Sequence, residues 1–173
     1  HSNLRRQRQM CIRDRFIGMM GTGKSKFGRL IAKNLNFTFY DVDLLIENKS
    51  NNTIKNIFRE NGENFFRKTE ESTIKELIFN ISQSNQSSVI SLGGGAFDNI
   101  NTRTLLLEKS HVIWLNTPVE VLVNRVGDGS KRPMIRGDVK KSISELLKKR
   151  IKYYSLSHDQ LNTNKPVSYT HLT

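Results

Sequence analysis

The stretch Phe16-Ile17-Gly18-Met19-Met20-Gly21-Thr22-Gly23-Lys24-Ser25 constrains this chain more than any other. It holds G-x-x-x-x-G-K-[ST] between the end of an apolar run and the start of a helical pattern, the context in which that motif acts as a phosphate loop. Its glycines let the backbone curl so that successive N–H groups point inward at phosphate oxygens. Lys24 is placed to bridge β- and γ-phosphates and Ser25 to hold Mg²⁺, while the helix beginning near Ser25 adds the positive end of its dipole. A ligand-free glycine turn is the plainer reading of such a loop, and the strand and helix on its flanks count against it.

The rest of the chain alternates short strands with longer helical patterns. Strand candidates are Phe16-Ile17, Phe37 to Tyr40, Ser88 to Leu92 and His111 to Leu115. Helical spacing marks Ser25 to Leu35, Asp43 to Lys49, Thr53 to Glu60, Asn64 to Ser82, Asn101 to Glu108, Pro118 to Val126 and Lys140 to Tyr154. Strands separated by helices imply parallel crossovers, hence an α/β sandwich around a buried parallel sheet, with ligands beyond the carboxyl ends of the strands. Residues 127–138 are polar and glycine-bearing, a mobile-loop composition.

Composition narrows the function class. A chain of 173 residues has room for one domain. No apolar run reaches the roughly 18–20 residues of a membrane span, and the basic N-terminus lacks the pattern of a secretory signal, so the chain reads as cytoplasmic. One cysteine, Cys11, and four scattered histidines exclude disulfide and zinc scaffolds. The net charge of +12 raises nucleic acid as a partner, yet residues 1–15 hold five arginines against one acid. Much of the remainder lies between Arg125 and Lys152, where a site for two anionic ligands explains it equally well.

Three further motifs bear on the chemistry. Tyr40-Asp41-Val42-Asp43 places two acids at i and i+2; in an extended segment both point to one side, Asp41 toward the metal and Asp43 toward the phosphate acceptor. The same residues read as readily as a helix N-cap followed by an acid in the first turn. Arg67 and Glu70, three apart, share a helix face, as a surface ion pair also would. Gly93-Gly94-Gly95 after a strand lets backbone press against a ligand, or forms a flexible loop.

In this order the motifs G-M-M-G-T-G-K-S, D-V-D, F-F-R-K-T-E, S-L-G-G-G-A, K-R-P-M and K-K-R-I-K-Y-Y resemble those of the shikimate kinase family, from about Phe16 to Asn164. The resemblance implies a three-layer P-loop NTPase fold with a five-stranded parallel sheet of order 2-3-1-4-5. It implies transfer of the ATP γ-phosphate to the 3-hydroxyl of shikimate with Mg²⁺ as cofactor, by a monomer that binds neither nucleic acid nor membrane. By position, Gly21, Thr22, Gly23, Lys24, Ser25, Lys26, Arg125 and Arg132 match ATP-binding residues, and Ser25 and Asp41 match metal ligands. Asp43, Phe58, Phe66, Arg67, Gly93, Gly94, Gly95 and Arg150 match substrate-binding residues, with Glu70 orienting Arg67. Lys24, Asp43 and Arg132 match the catalytic set, Arg132 being carried by the lid at 127–138. Guanidinium forks suit a carboxylate and an acidic acceptor suits hydroxyls, so the residue types fit that substrate.

The ends depart from the pattern. Arg13, Asp14 and Arg15 stand where an interior strand should be apolar. Residues 1–15 are therefore read as a non-native basic arm, 16–165 as the kinase domain and 166–173 as a non-native tail, both ends resembling translated sequencing adaptors. Competing readings are another small-molecule kinase of this architecture, such as a gluconate kinase or a nucleoside monophosphate kinase, a truncated nucleotide-binding fragment without activity, and a basic nucleic-acid-binding module.

Overall fold

A computed structural model describes residues 13–163 apart from 85 and 131. Readings that rest on residues 1–12, Cys11 among them, and on the tail 166–173 lie outside the described residues. Five parallel strands, β1 (Arg13–Ile17), β2 (Thr38–Asp41), β3 (Ser88–Ser91), β4 (His111–Asn116) and β5 (Asp159–Asn162), form one sheet in the order β2-β3-β1-β4-β5. Six helices among the described residues connect them: α1 (Lys24–Leu35), α2 (Val42–Ser50), α3 (Ile54–Ser84), α4 (Ile100–Lys109), α5 (Val119–Val126) and α6 (Val139–Tyr154). Among the described residues no helix is long and apolar enough to cross a membrane.

Side-chain alternation along the strands builds the layers. Phe16, Val89 and Leu115 face α1, where they pack with Phe27 and Ala32. Ile17, Ile90, Val112 and Trp114 face the other way, into the larger core shared with α2 to α6. That core wraps an apolar sheet face with residues such as Ile46, Ile74, Leu106, Leu122 and Ile143, all essentially out of water.

Two local features shape the site. Helix α3 breaks at Gly62, whose φ of 82° and ψ of 171° are not helical, so it is two helices meeting at a corner. The left-handed φ there is one that glycine adopts without strain. The corner brings Phe58 and Phe66 together with ring centroids 4.7 Å apart. The second feature is β1, which starts at Arg13 and pairs with β3 and β4. Three charged residues assigned above to an arm thus belong to the central sheet. Arg15 is wholly buried and satisfies part of its guanidinium on the carbonyls of Ser88, at 2.9 Å, and Asp14, at 3.1 Å. Parallel pairing needs only backbone groups, which is why charged residues did not prevent the strand from forming.

Candidate active site

The phosphate loop joins β1 to α1 at the carboxyl end of the sheet. Gly18 has a φ of 140°, and a Cβ there would lie 2.6 Å from the carbonyl oxygen of Leu115, so the position takes glycine alone. Thr22 closes the turn, its Oγ1 donating to Met19 O at 2.9 Å. Lys24 bends back over its own loop, with Nζ donating to the carbonyls of Gly18 and Met19 at 2.9 Å each. Burial pushes its pKa down to about 8, against the pull of Asp43 and Asp41 and with a push from Arg132. An incoming phosphate would reverse that burial cost by supplying the missing counter-charge. Ser25 Oγ lies 3.3 Å from Ser91 Oγ. Arg125 Nη1 reaches the carbonyl of Gly21 at 3.2 Å, whereas Lys26 is exposed on α1 and does not line the adjoining cavity.

Asp41 and Asp43 do not share an extended segment. Asp41 ends β2 and caps α2, its Oδ1 accepting from the backbone N–H groups of Asp43 at 3.1 Å and Leu44 at 3.4 Å. Asp43 stands in the first helical turn, so the i,i+2 strand geometry is corrected to the N-cap arrangement. The cap meets the orphan N–H groups of a helix start, and it wins over strand continuation for that reason. Asp43 nonetheless faces the cavity. Desolvation and the nearby Asp41 raise its pKa, while Lys24 and Arg132 oppose the rise.

Beside the loop lies a cavity of about 460 Å³. It gathers Asp43, Phe58, Phe66, Arg67, Glu70, Gly93, Gly94, Gly95, Arg132 and Arg150, and Ser130, Pro133 and Met134 of the lid form part of its wall. At Gly93 and Gly95 a side chain would displace the polar groups of the cavity. A Cβ on Gly95 would sit 2.5 Å from Arg67 Nη2, and one on Gly93 would sit 2.6 Å from Glu70 Oε1 and 2.9 Å from Asp43 Oδ1.

Two of the cavity arginines, Arg67 and Arg150, are each held by a carboxylate. Arg67 Nη1 donates to Glu70 Oε2 at 2.7 Å, with longer contacts of 3.4 Å to Glu63. Burial drives the Glu70 pKa up to about 7, partly offset by Arg67. Burial also works against the Arg67 charge, but Glu70 outweighs it and holds the guanidinium pKa above its ordinary value. Arg150 Nε donates to Asp98 Oδ2 at 2.9 Å. Sequence reasoning did not find Asp98, whose partner is 52 positions away and leaves no helical spacing to read. It also missed Met19, whose sulfur lies 3.8 Å from both Arg150 Nη1 and the Tyr154 hydroxyl, tying the phosphate loop to α6.

A loop shaped for a nucleotide's phosphates opens here onto a separate pocket with paired cations and an acid, and that division defines a phosphate-loop kinase acting on a small molecule. The family model described as shikimate kinase matches residues 20–169. A shikimate kinase of Zymomonas mobilis is 40% identical over 142 residues, covering 82% of this chain and 78% of that protein. One from Sulfurihydrogenibium is 33% identical over 149 residues, covering 86% of each. The structure also resembles that of shikimate kinase from Acinetobacter baumannii in complex with shikimate, with a TM-score of 0.84, 31% identity, and coverage of 93% of this chain and 88% of that one. The chain belongs to the shikimate kinase family, and it is an ATP-dependent phosphotransferase.

Proposed function

We propose that the chain transfers the γ-phosphate of ATP to the 3-hydroxyl of shikimate, giving shikimate 3-phosphate and ADP, and that the residues gathered at the cavity perform the steps. The observation that carries this is the meeting of Asp43, Arg67 and Arg150 in one cavity beside the phosphate loop. Arg67 and Arg150 grip the substrate carboxylate, Glu70 orients Arg67, and Phe58 and Phe66 cover the ring's apolar face. Asp43 accepts a hydrogen bond from the reacting hydroxyl and takes its proton as the P–O bond forms. Its raised pKa suits a group that must receive one.

On the nucleotide side, Gly21 to Ser25 cradle the phosphates, Lys24 neutralises the β- and γ-phosphates, and Arg125 stacks on the adenine. Arg132 comes from the lid to balance charge on the phosphoryl group in transit. The oxygen donors offered at the phosphate loop are the Ser25 hydroxyl and the carboxylates of Asp41 and Asp43, whose charges act on Lys24, and such donors suit Mg²⁺. Ser25 and Asp41 would hold it, and it would supply further charge neutralisation. We propose that the chain acts as a monomer. We place the reaction in the cytoplasm, where ATP is supplied.

The test is coupled ADP release with MgATP, comparing shikimate with gluconate, nucleoside monophosphates and no acceptor. Turnover is expected with shikimate alone. Asp43→Asn should lower kcat by at least about 10²-fold, the usual scale of a lost general base, and Arg67→Ala should remove saturable shikimate dependence. Equal turnover with gluconate would defeat the substrate assignment.

A further inference from the structure

Arg150 is more deeply buried than its counterpart Arg67, its side chain 4% exposed against 24%. A guanidinium so far from water needs a carboxylate, because an uncompensated buried charge is strongly unfavourable. Glu70, which sits on the same helix as Arg67, serves that arginine. For Arg150, on α6, the ion pair among the described residues is with Asp98, from another element. It engages Nε and so leaves the outer edge of the fork free of carboxylate. Nη1 lies against Met19 Sδ at 3.8 Å and would be 3.3 Å from a Cβ on Gly94. Arg150 lines the substrate cavity.

Asp98 is itself held firmly. It ends the short 3₁₀ turn Ala96–Asp98 that follows the three glycines, with its N–H donating to Gly95 O at 3.1 Å. Arg103 Nη1 clamps the turn from below through the carbonyls of Phe97 at 2.9 Å and Asp98 at 3.1 Å. The other carboxylate oxygen, Oδ1, is buried without a hydrogen-bond partner among the described residues. The carboxylate is thus kept out of water on one side while its partner oxygen engages Arg150. A merely capping acid would not be placed so, and the cap of α4 is supplied by Asn99 instead.

From this geometry we infer that Asp98 is a positioning residue for the substrate carboxylate, acting through Arg150: it fixes the rotation of the guanidinium so that the free edge addresses the cavity. The inference rests on the shikimate reading for the identity of the carboxylate, and on the structure alone for the pairing. Because Asp98 and the glycine floor lie on one six-residue segment, Gly93 to Asp98, the floor and the cation are set together.

Asp98→Asn keeps the shape and removes the charge. Steady-state kinetics are measured for wild type, Asp98→Asn, Arg150→Lys and the double variant. In parallel, the Arg150 Nε–H signal is followed by ¹⁵N NMR and assigned by its absence in Arg150→Lys. Asp98→Asn should raise KM for shikimate about tenfold, as befits loss of a charge-assisted hydrogen bond, with kcat and KM for ATP within about twofold. The Arg150 signal should shift, and in the Arg150→Lys background the same substitution should add less than about twofold. An unchanged KM for shikimate, or an equal effect in both backgrounds, overturns the proposal, as does a parallel rise in both KM values with loss of thermal stability. Should wild type leave shikimate untouched, the substrate reading falls, and the NMR signal decides the pairing: a shift upholds it and an unmoved signal overturns it. If Asp98→Asn does not fold, Asp98→Ser is read by the same criteria.

Discussion

Glu70 shows how one residue trades stability for binding. Its carboxyl is buried, Oε2 engages Arg67 and Oε1 has no hydrogen-bond partner among the described residues. Burial therefore lifts its pKa from 4.5 to about 7. Between those two values the folded chain keeps a proton that the unfolded chain has released, so stability falls as pH rises through that window. Above pH 7 the charge is carried at full cost, and it is in this state that Glu70 pairs most strongly with Arg67. Glu70→Gln should consequently flatten the decline of Tm between pH 5 and 7, raise Tm at pH 8 by roughly 4 °C, and raise KM for shikimate about tenfold. Asp43, displaced in the same direction, keeps part of the slope in place. Differential scanning calorimetry at several pH values, with kinetics at pH 8, checks both halves. A slope identical to wild type would show that the Glu70 charge costs the fold nothing.

Strands and helices differ in how far their sequences announced them. Helix α6 begins within a residue of its amphipathic pattern and ends where that pattern ends, and the two arms of α3 follow the separate stretches read before and after Gly62. Arg67 and Glu70 were legible because a helix turns spacing into contact. The Asp98–Arg150 pair was not, since only the packing of α6 against the turn after β3 creates it. Strand β1 lies between these cases. Its pairing with β3 and β4 sets Arg15 beside Ile90 and Val112, both fully buried, where a parallel sheet between helices calls for apolar side chains. Topology placed Arg15 in the core although its residue type argued against it, and the carbonyls of Ser88 and Asp14 accept hydrogen bonds from it there.

At the scale of the whole molecule, the site divides between a fixed floor and a cover. The floor consists of loops at the carboxyl ends of β1, β2 and β3, each pinned by the sheet, whereas the described residues among 127–138 belong to no strand or helix and bring Ser130, Arg132, Pro133 and Met134 to the cavity. That cover is shaped by short backbone links, from Arg132 N–H to Gly129 O at 2.8 Å and from Ile135 N–H to Arg132 O at 3.0 Å. It delivers Arg132 close enough to Lys24 and Asp43 for its charge to act on both. Pro133 and Met134 of that cover line the cavity, where under the proposed reaction they would keep water from competing with the alcohol. Arg132 is exposed and forms no ion pair among the described residues, which means the fold gains little from its side chain. Arg132→Ala should therefore leave Tm within about 1 °C, and KM for shikimate within a few-fold, while lowering kcat by at least about 10²-fold, as loss of a transition-state charge partner does. Thermal melts and ADP-release kinetics on the same preparation test this. A kcat close to wild type would reassign charge neutralisation to Lys24 and Mg²⁺ alone and reduce the lid to a barrier against water.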